Sequence, residues 1–309
     1  MLTRRDFGKT ALAALPASRL LAKPDSKISG VQIGAITYSF RSLPSSADDL
    51  VNYLSQLGIS SIELMSDPVE AYAGIPSMAP RPRGRQELTP EQREAIRKSV
   101  EERTKWRLSA SMDKFKELRT KFNSAGIQIA IFKLPLTESM PDGECDYVFN
   151  VAKALGASCI TMELPNDPAL SKRAGQFADK HKIYVGYHNH MQVNESSWET
   201  ALSQSKYNSI NLDVGHYSEA ISGSPIPFIK KNASRITSFH LKDKKYGTNG
   251  GGNVVWGTGQ TGLKEILQLM KKEKYKWPAN IELEYTIPEG STVMAEMDKC
   301  VKFCKDALA

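Results

Sequence analysis

The chain has 309 residues, 40% of them hydrophobic and 24% charged, which supplies a large packed core and excludes a disordered or fibrous polypeptide. The formal charge is +7, of which +3 falls in residues 1–22, where Arg4, Arg5, Lys9 and Arg19 stand against Asp6. The remaining +4 is too small an excess to mark a nucleic-acid surface, so no nucleic-acid partner is expected.

At the N-terminus "TRRDFGK" (3–9) is followed by "TALAALPASRLLA", a weakly apolar run of small residues. The run is too short to stay in a bilayer, which takes ~20 apolar residues. The segment resembles a bacterial twin-arginine export signal. The resemblance implies that 1–22 is an address and linker outside the fold, read by the twin-arginine export machinery, with a periplasmic or exported destination.

From residue 31 short β-rich runs alternate with helical periodicity. The runs are "VQIGAITY" (31–38), "ISSIELM" (59–65), "IQIAIFKL" (127–134), "SCITMEL" (158–164), "IYVGYH" (183–188), "INLD" (210–213), "ITSFHL" (236–241) and "NIELEY" (280–285). Helices are expected after Ser45–Ser46 up to Gly58, over the charged stretch 90–123, up to Gly156, and over 263–275 and 292–308. The Pro-containing stretch 218–232 gives the weakest helical pattern. Alternation of this kind, eight strands long, predicts a (β/α)8 TIM barrel over 31–309. A doubly wound open sheet is the main alternative, but it normally brings an early glycine-rich phosphate turn, and "VQIGAITYSF" has none. Two insertions are apparent: 66–126, with the Pro/Arg loop "APRPRGRQ" (79–86), and the glycine-rich 245–262. In a barrel both loops emerge on the C-terminal face, and 245–262 reads as a mobile loop over the mouth. Cys145, Cys159, Cys300 and Cys304 form no CxxC and read as free packing thiols, although a disulfide is compatible with export.

Several strands end in ionisable groups: Glu63, Glu163, His188, Asp213, His240 and Glu282. From Glu163 onward the intervals are 25, 25, 27 and 42 residues, the lengths of β/α units with the last stretched by the glycine-rich loop. Each unit therefore delivers one candidate ligand to the same end of the barrel. Carboxylates and imidazoles converging there repel and desolvate one another unless a cation sits among them. Mixed Asp/Glu/His ligation suits a divalent ion of the Mn, Zn, Fe or Co kind, with Mg also open, better than Ca.

With "NLDVGHY" (211–217), "SFHLKD" (238–243) and "NIELEY" in place, the chain resembles the xylose-isomerase-like barrel superfamily over essentially all of 31–309. That superfamily includes sugar isomerases and epimerases, hydroxypyruvate isomerase, inosose dehydratase and endonuclease IV. The resemblance implies one metal on four strand-end ligands: Asp213 on strand six, His240 on strand seven and a glutamate on strand eight. Relatives carry that glutamate seven residues after an aromatic that ends the last helix, which selects Glu282 from Tyr275 and leaves Glu284 as its neighbour. Strand five departs from the pattern, since epimerases of the superfamily have a glutamate where this chain has His188. Glu163, ending the preceding strand, is the candidate to restore a carboxylate.

The activity implied is proton abstraction beside a carbonyl through a metal-stabilised enediolate, on a small-molecule carbohydrate. Glu163 or Glu282 is the candidate base, His190 or His216 its partner, and Lys242 a contact to a hydroxyl or oxyanion. Asn189, Glu284, Trp256 and Lys133 are candidate substrate contacts. Isomerase or epimerase activity stands first, with β-elimination on keto-sugars or 3-keto-glycosides as the alternative, favoured by the missing strand-five glutamate. An endonuclease IV-like nuclease is disfavoured because the first three strands carry no histidine. A non-catalytic sugar-binding protein is the remaining rival, and an oligomer is left open.

Overall fold

The structure is a computed structural model describing residues 23–80, 87–247 and 251–309. The twin-arginine segment and residues 81–86 of the Pro/Arg loop lie outside the described residues. Eight parallel strands form the barrel: β1 (Val31–Ile36), β2 (Ser61–Met65), β3 (Gln128–Lys133), β4 (Cys159–Glu163), β5 (Tyr184–His188), β6 (Asn208–Asp213), β7 (Ile236–Leu241) and β8 (Ala279–Ile281). Each pairs with the next, and β8 pairs with both β7 and β1, so the sheet closes. Closure excludes the open doubly wound alternative. A short antiparallel strand, Lys27–Ile28, precedes the barrel.

The helices cover the outside: α1 (Ala47–Leu57), α2 (Ser66–Ala73), α3 (Pro90–Ser109), α4 (Asp113–Ser124), α5 (Asp142–Leu155), α6 (Pro168–His181), α7 (Glu199–Gln204), α8 (Val214–Ile221), α9 (Ile226–Asn232), α10 (Leu263–Glu273) and α11 (Val293–Leu308). The α1 boundaries follow their sequence signals. Ser46 and Asp49 form a capping box, and Gly58 ends the helix at φ 68°, a left-handed value that favours glycine. The charged stretch 90–123 is two helices rather than one. Ala110 turns extended, and the Ser111 hydroxyl accepts the Asp113 N–H to start α4. The weak pattern at 218–232 likewise resolves into α8 and α9, with Pro225 capping the second.

Alternation along the strands separates two environments. Ile33, Ala35, Ile62, Leu64, Phe132, Ile160, Val185, Ile210, Leu212, Phe239 and Ile281 join the apolar core with the helices. The barrel interior is polar instead: Glu63, Thr161, Asn211, Ser238, His240 and Asn280 are fully buried. Glu63 on β2 meets Thr161 on β4, Asn211 on β6, His240 on β7 and Asn280 on β8, contacts that only an interior position allows.

α3 carries almost no apolar stripe; its buried residues are Ile96 and Ser99. Charge docks it instead. The buried Glu70 carboxylate on α2 receives Arg107 at 2.8 and 2.9 Å, Arg103 at 3.1 Å and the Tyr147 hydroxyl at 3.0 Å. Arg107 also reaches Glu144 on α5 at 2.9 Å.

The glycine-rich insertion is tied down over its described part, which corrects its reading as a mobile loop there. Asp243–Lys245 pairs with Gly252–Val254. The Asp243 carboxylate accepts N–H groups of Gly257 and Gly259 at 2.9 Å, of Lys244 at 3.0 Å and of Thr261 at 3.3 Å. Gly259 is required by that approach, since a Cβ there would stand 2.2 Å from Asp243 Oδ1. The four cysteines are buried and free. No helix among the described residues is long and apolar enough to cross a membrane.

Candidate active site and metal centre

His188 ends β5, Asp213 ends β6, His240 is the penultimate residue of β7, and Glu282 directly follows β8. The β/α period thus carries four ionisable side chains to the C-terminal face. One ligand atom from each lies within 4.8 Å of the others, and all four residues are buried. Glu163 is not in this group. It forms a second, more exposed one with His188 and His190.

Neighbours fix each member of the buried group. His188 Nδ1 lies 2.8 Å from Asn211 Oδ1, an oxygen that can only accept. The ring hydrogen is therefore on Nδ1, and Nε2 presents a lone pair. Burial, reinforced by the His240 and Lys133 charges, holds the His188 pKa well below its usual value, so the ring is neutral. Asp213 Oδ1 accepts the His216 N–H at 2.8 Å, capping α8, while buried Oδ2 faces the Lys242 ammonium at 2.8 Å and His188 Nε2 at 3.9 Å. Asn189 orders this strand end: its Oδ1 accepts the Asp213 N–H at 2.9 Å and its Nδ2 donates to the Asp213 carbonyl at 3.2 Å. Asn189 is fully buried with both ends engaged, so it positions Asp213 and is not available to substrate.

His240 sits between two carboxylates, Glu282 at 2.8 Å from Nδ1 and Glu63 at 2.8 Å from Nε2. Burial alone would lower its pKa, but the two charges prevail and raise it to about 10. Burial likewise pushes Glu282 and Glu63 upward, yet the His240 charge outweighs it and holds both below the usual carboxylate range. Lys242 completes the charge balance. Its Nζ lies 2.8 Å from Asp213 Oδ2, 2.9 Å from Glu282 Oε2 and 2.5 Å from Glu284 Oε2. Burial opposes its charge, but the three carboxylates keep the pKa raised.

The donor set fits a divalent metal. Two imidazoles and two carboxylates at strand ends match the ligand chemistry of Zn, Mn, Fe or Co. His188 Nε2 presents a lone pair 3.9 Å from Asp213 Oδ2, so two buried electron-pair donors face each other with no hydrogen between them. His240, backed by Glu63, has the carboxylate–imidazole support common behind metal ligands. Lys242 shares the same carboxylate oxygens, so ammonium and metal compete for one charge site.

Above this group lies a cavity of about 190 Å³, lined by Ile36, Tyr38, Met65, Lys133, Glu163, His188, His190, Glu282 and Glu284. Larger clefts elsewhere do not gather these ligands. Glu163 Oε2 is 3.1 Å from His190 Nε2, and its Oε1 is 3.3 Å from Lys133 Nζ. Four histidine rings run in a row: His240 to His188 at 4.5 Å, His188 to His190 at 5.1 Å, and His190 to His216 at 5.0 Å between centroids. Trp256 is elsewhere. It is buried against Phe303, 5.7 Å between centroids, and lines a separate small pocket, so its reading as a sugar-stacking residue is not supported. The aromatic at the mouth is Tyr38, with the Arg41 guanidinium 4.5 Å from its ring centre. Sequence reasoning missed Tyr38, and it grouped Glu63 with the strand-end candidate ligands, whereas the carboxylate lies behind His240 and outside the group of four. The signal for Tyr38 was an aromatic at the end of the first β-rich run, two residues past β1.

The solved neighbours are xylose-isomerase-like barrels. A xylose isomerase domain protein from Planctomyces limnophilus has a TM-score of 0.60 at 16% identity, covering 90% of this chain and 96% of its own. The probable 3-DHS dehydratase AsbF from Bacillus anthracis has a TM-score of 0.62 at 15% identity, covering 88% and 98%. The 3-keto-D-glucoside 4-epimerase YcjR from E. coli has a TM-score of 0.57 at 9% identity, covering 89% and 100%. At these identities the likeness is one of fold. No protein-family model matches the chain, and no curated protein sequence does.

Proposed function

We propose that this protein is a divalent-metal-dependent carbohydrate enzyme of the isomerase or epimerase type, moving a proton beside a carbonyl. The observation that carries this reading is the buried convergence of His188, Asp213, His240 and Glu282 within 4.8 Å at the C-terminal end of the barrel. Those four residues would hold the metal. When bound, it would supply Lewis acidity that polarises a substrate carbonyl and its neighbouring hydroxyl.

The protein's own groups divide the remaining work. Glu163 stands at the open mouth, and His190 at 3.1 Å can take its proton onward. Glu282 is a poorer base because His240 and Lys242 already hold it as a buried carboxylate. Glu284, just beyond β8, is the second candidate. Strands β4 and β8 are four positions apart in a closed ring of eight, so Glu163 and Glu284 approach from opposite sides of the mouth. Two carboxylates on opposite walls suit removal of a proton on one face and its return on the other. Lys242 and His216 can donate to oxygens on which charge develops. Tyr38 offers an apolar face to a sugar ring.

β-Elimination is the second reading, favoured by the adjacency of Glu163 and His190 on one wall. There the carboxylate can remove the proton while the imidazole protonates a departing oxygen on the same face. The twin-arginine motif supports an exported enzyme acting on unphosphorylated sugars. Substituting Lys for both Arg4 and Arg5 should then retain the protein in the cytoplasm, as read by cell fractionation.

The test is metal analysis of protein purified without chelator, followed by product identification over free and 3-keto sugars. A stoichiometric divalent metal with epimer or ketose product is expected. Elimination product alone would move the protein to the lyases. Sugar affinity unchanged in Asp213→Ala, with neither metal nor turnover in the parent, would make it a binder.

A further inference from the structure

We propose that Lys244 is a positioning residue that locks the His216 ring in one tautomer, so that His216 offers its Nε2 hydrogen to an oxygen of the bound carbohydrate. The substrate part rests on the function proposed above; the tautomer part does not. Lys244 is buried despite its charge. Its Nζ lies 2.5 Å from Glu219 Oε2 and 3.0 Å from His216 Nδ1, two residues one turn apart on α8. An ammonium carries hydrogens and no lone pair. Nδ1 must therefore accept, and the one hydrogen of a neutral ring must be on Nε2. That nitrogen lies 3.8 Å from Glu284 Oε2, and the ring is 5.0 Å from that of His190, both residues of the mouth.

The ammonium contact itself requires a lone pair on Nδ1, so the ring is neutral. Burial and the charges of Lys242 and Lys244 act in the same direction, lowering the His216 pKa. The local sequence builds the contact. A Cβ at Gly215 would meet Lys242 Cγ at 2.5 Å and the Lys242 carbonyl at 2.7 Å, so glycine lets α8 press against the stretch carrying Lys244. The Lys244 backbone is held in turn, its N–H donating to Thr261 Oγ1 at 3.0 Å and its carbonyl accepting the Gln260 N–H at 2.7 Å. The glycine-rich insertion thus places the ammonium, and the ammonium orients the ring. His216 is thereby a fixed donor and not a proton acceptor. A neutral imidazole donor of this kind can polarise an oxygen that gains charge in the transition state.

The test uses nitrogen-15 spectra of histidine-labelled full-length protein, with the His216 signals assigned by their loss in His216→Gln. In the parent protein, Nδ1 should show the lone-pair signature and Nε2 the protonated one. Lys244→Met should give a mixture of tautomers, and Lys244→Arg should restore the single form. On the sugar substrate, Lys244→Met should lower kcat about 2- to 10-fold, in proportion to the rings left in the wrong tautomer, with KM little changed and partial recovery in Lys244→Arg. If Lys244→Met melts early, Lys244→Met/Glu219→Leu, which removes the whole ion pair, carries the same readouts. A parent His216 protonated on Nδ1, an unchanged tautomer in Lys244→Met, or a rise in KM alone would overturn the proposal. The spectra need no turnover, so an absence of sugar activity would count against the proposed function and leave the tautomer assignment standing.

Discussion

The Glu63 carboxylate and the His240 ring meet inside the barrel at 2.8 Å, although 177 residues separate them in the chain. The same carboxylate receives the Thr161 hydroxyl at 2.7 Å and the Asn280 amide at 3.2 Å. Glu63 therefore holds His240 from below while Glu282 and Asp213 face it from above. In Glu63→Gln, divalent-metal affinity should fall about 10- to 100-fold, the usual cost of losing a carboxylate behind a histidine ligand. Competition against a chelator with a metal indicator measures this. An unchanged affinity would show that Glu63 has no part in the centre. Glu63→Leu should instead lower stability by about 1–3 kcal/mol, because it leaves the buried His240 Nε2, Thr161 hydroxyl and Asn280 amide without their shared acceptor.

Lys242 gives a prediction of opposite sign. Its ammonium lies on Asp213 and Glu282 oxygens that a metal would also use. Lys242→Met should tighten metal binding about tenfold or more, since it removes a like charge from a buried site. Turnover should fall at the same time through loss of the donor. Isothermal titration beside steady-state kinetics separates the two effects, and weaker metal binding would contradict the competition.

The docking of α3 on charge predicts a specific weakness. Glu70→Ala leaves Arg103 and Arg107 without their shared buried carboxylate. The loss should be about 3–5 kcal/mol, read from urea denaturation. Hydrogen exchange should rise first across Pro90–Ser109, whereas protection retained there would mean that apolar contacts suffice.

Glu296 on α11 supplies a pH dependence remote from the site. Its buried carboxylate receives the Tyr285 hydroxyl at 2.8 Å, the Ser291 hydroxyl at 2.5 Å and the Lys299 ammonium at 2.6 Å. Burial alone would raise its pKa, but these three donors bring it below the ordinary 4.5. A lowered folded-state value means stabilisation that is fully present above the unfolded value and lost as pH falls through the folded one. Glu296→Gln should cost about 1–2 kcal/mol at pH 7. It should also lose part of the acid-side slope of the urea midpoint below about pH 4.5. Equal slopes in both proteins would refute the assignment.

The barrel was legible because its two signals are local. β-rich runs are set by their own residues, and the intervals of 25, 25 and 27 residues between Glu163, His188, Asp213 and His240 report one repeating unit. The buried group of four follows from that period. Interior contacts do not. Glu63 faces His240 only because the sheet closes, and closure leaves no mark on either segment. Asn189 looked like a substrate contact because it lies between two histidines, but the turn after β5 aims its amide at the Asp213 backbone. Trp256 looked available because its loop is rich in glycine. Asp243 gathers that loop, and the indole packs on Phe303. Polar and aromatic side chains have several good partners in a folded protein, and sequence spacing does not choose among them.

The histidines also provide a ready reporter. Of the chain's five, His181, His188, His216 and His240 are buried, and His190 alone is exposed, at the mouth. An imidazole-selective acylating reagent should therefore modify one residue first, without any engineered label. Protection of that residue by a sugar would register occupancy of the mouth before any product has been identified, turning ligand discovery into a peptide-mass measurement.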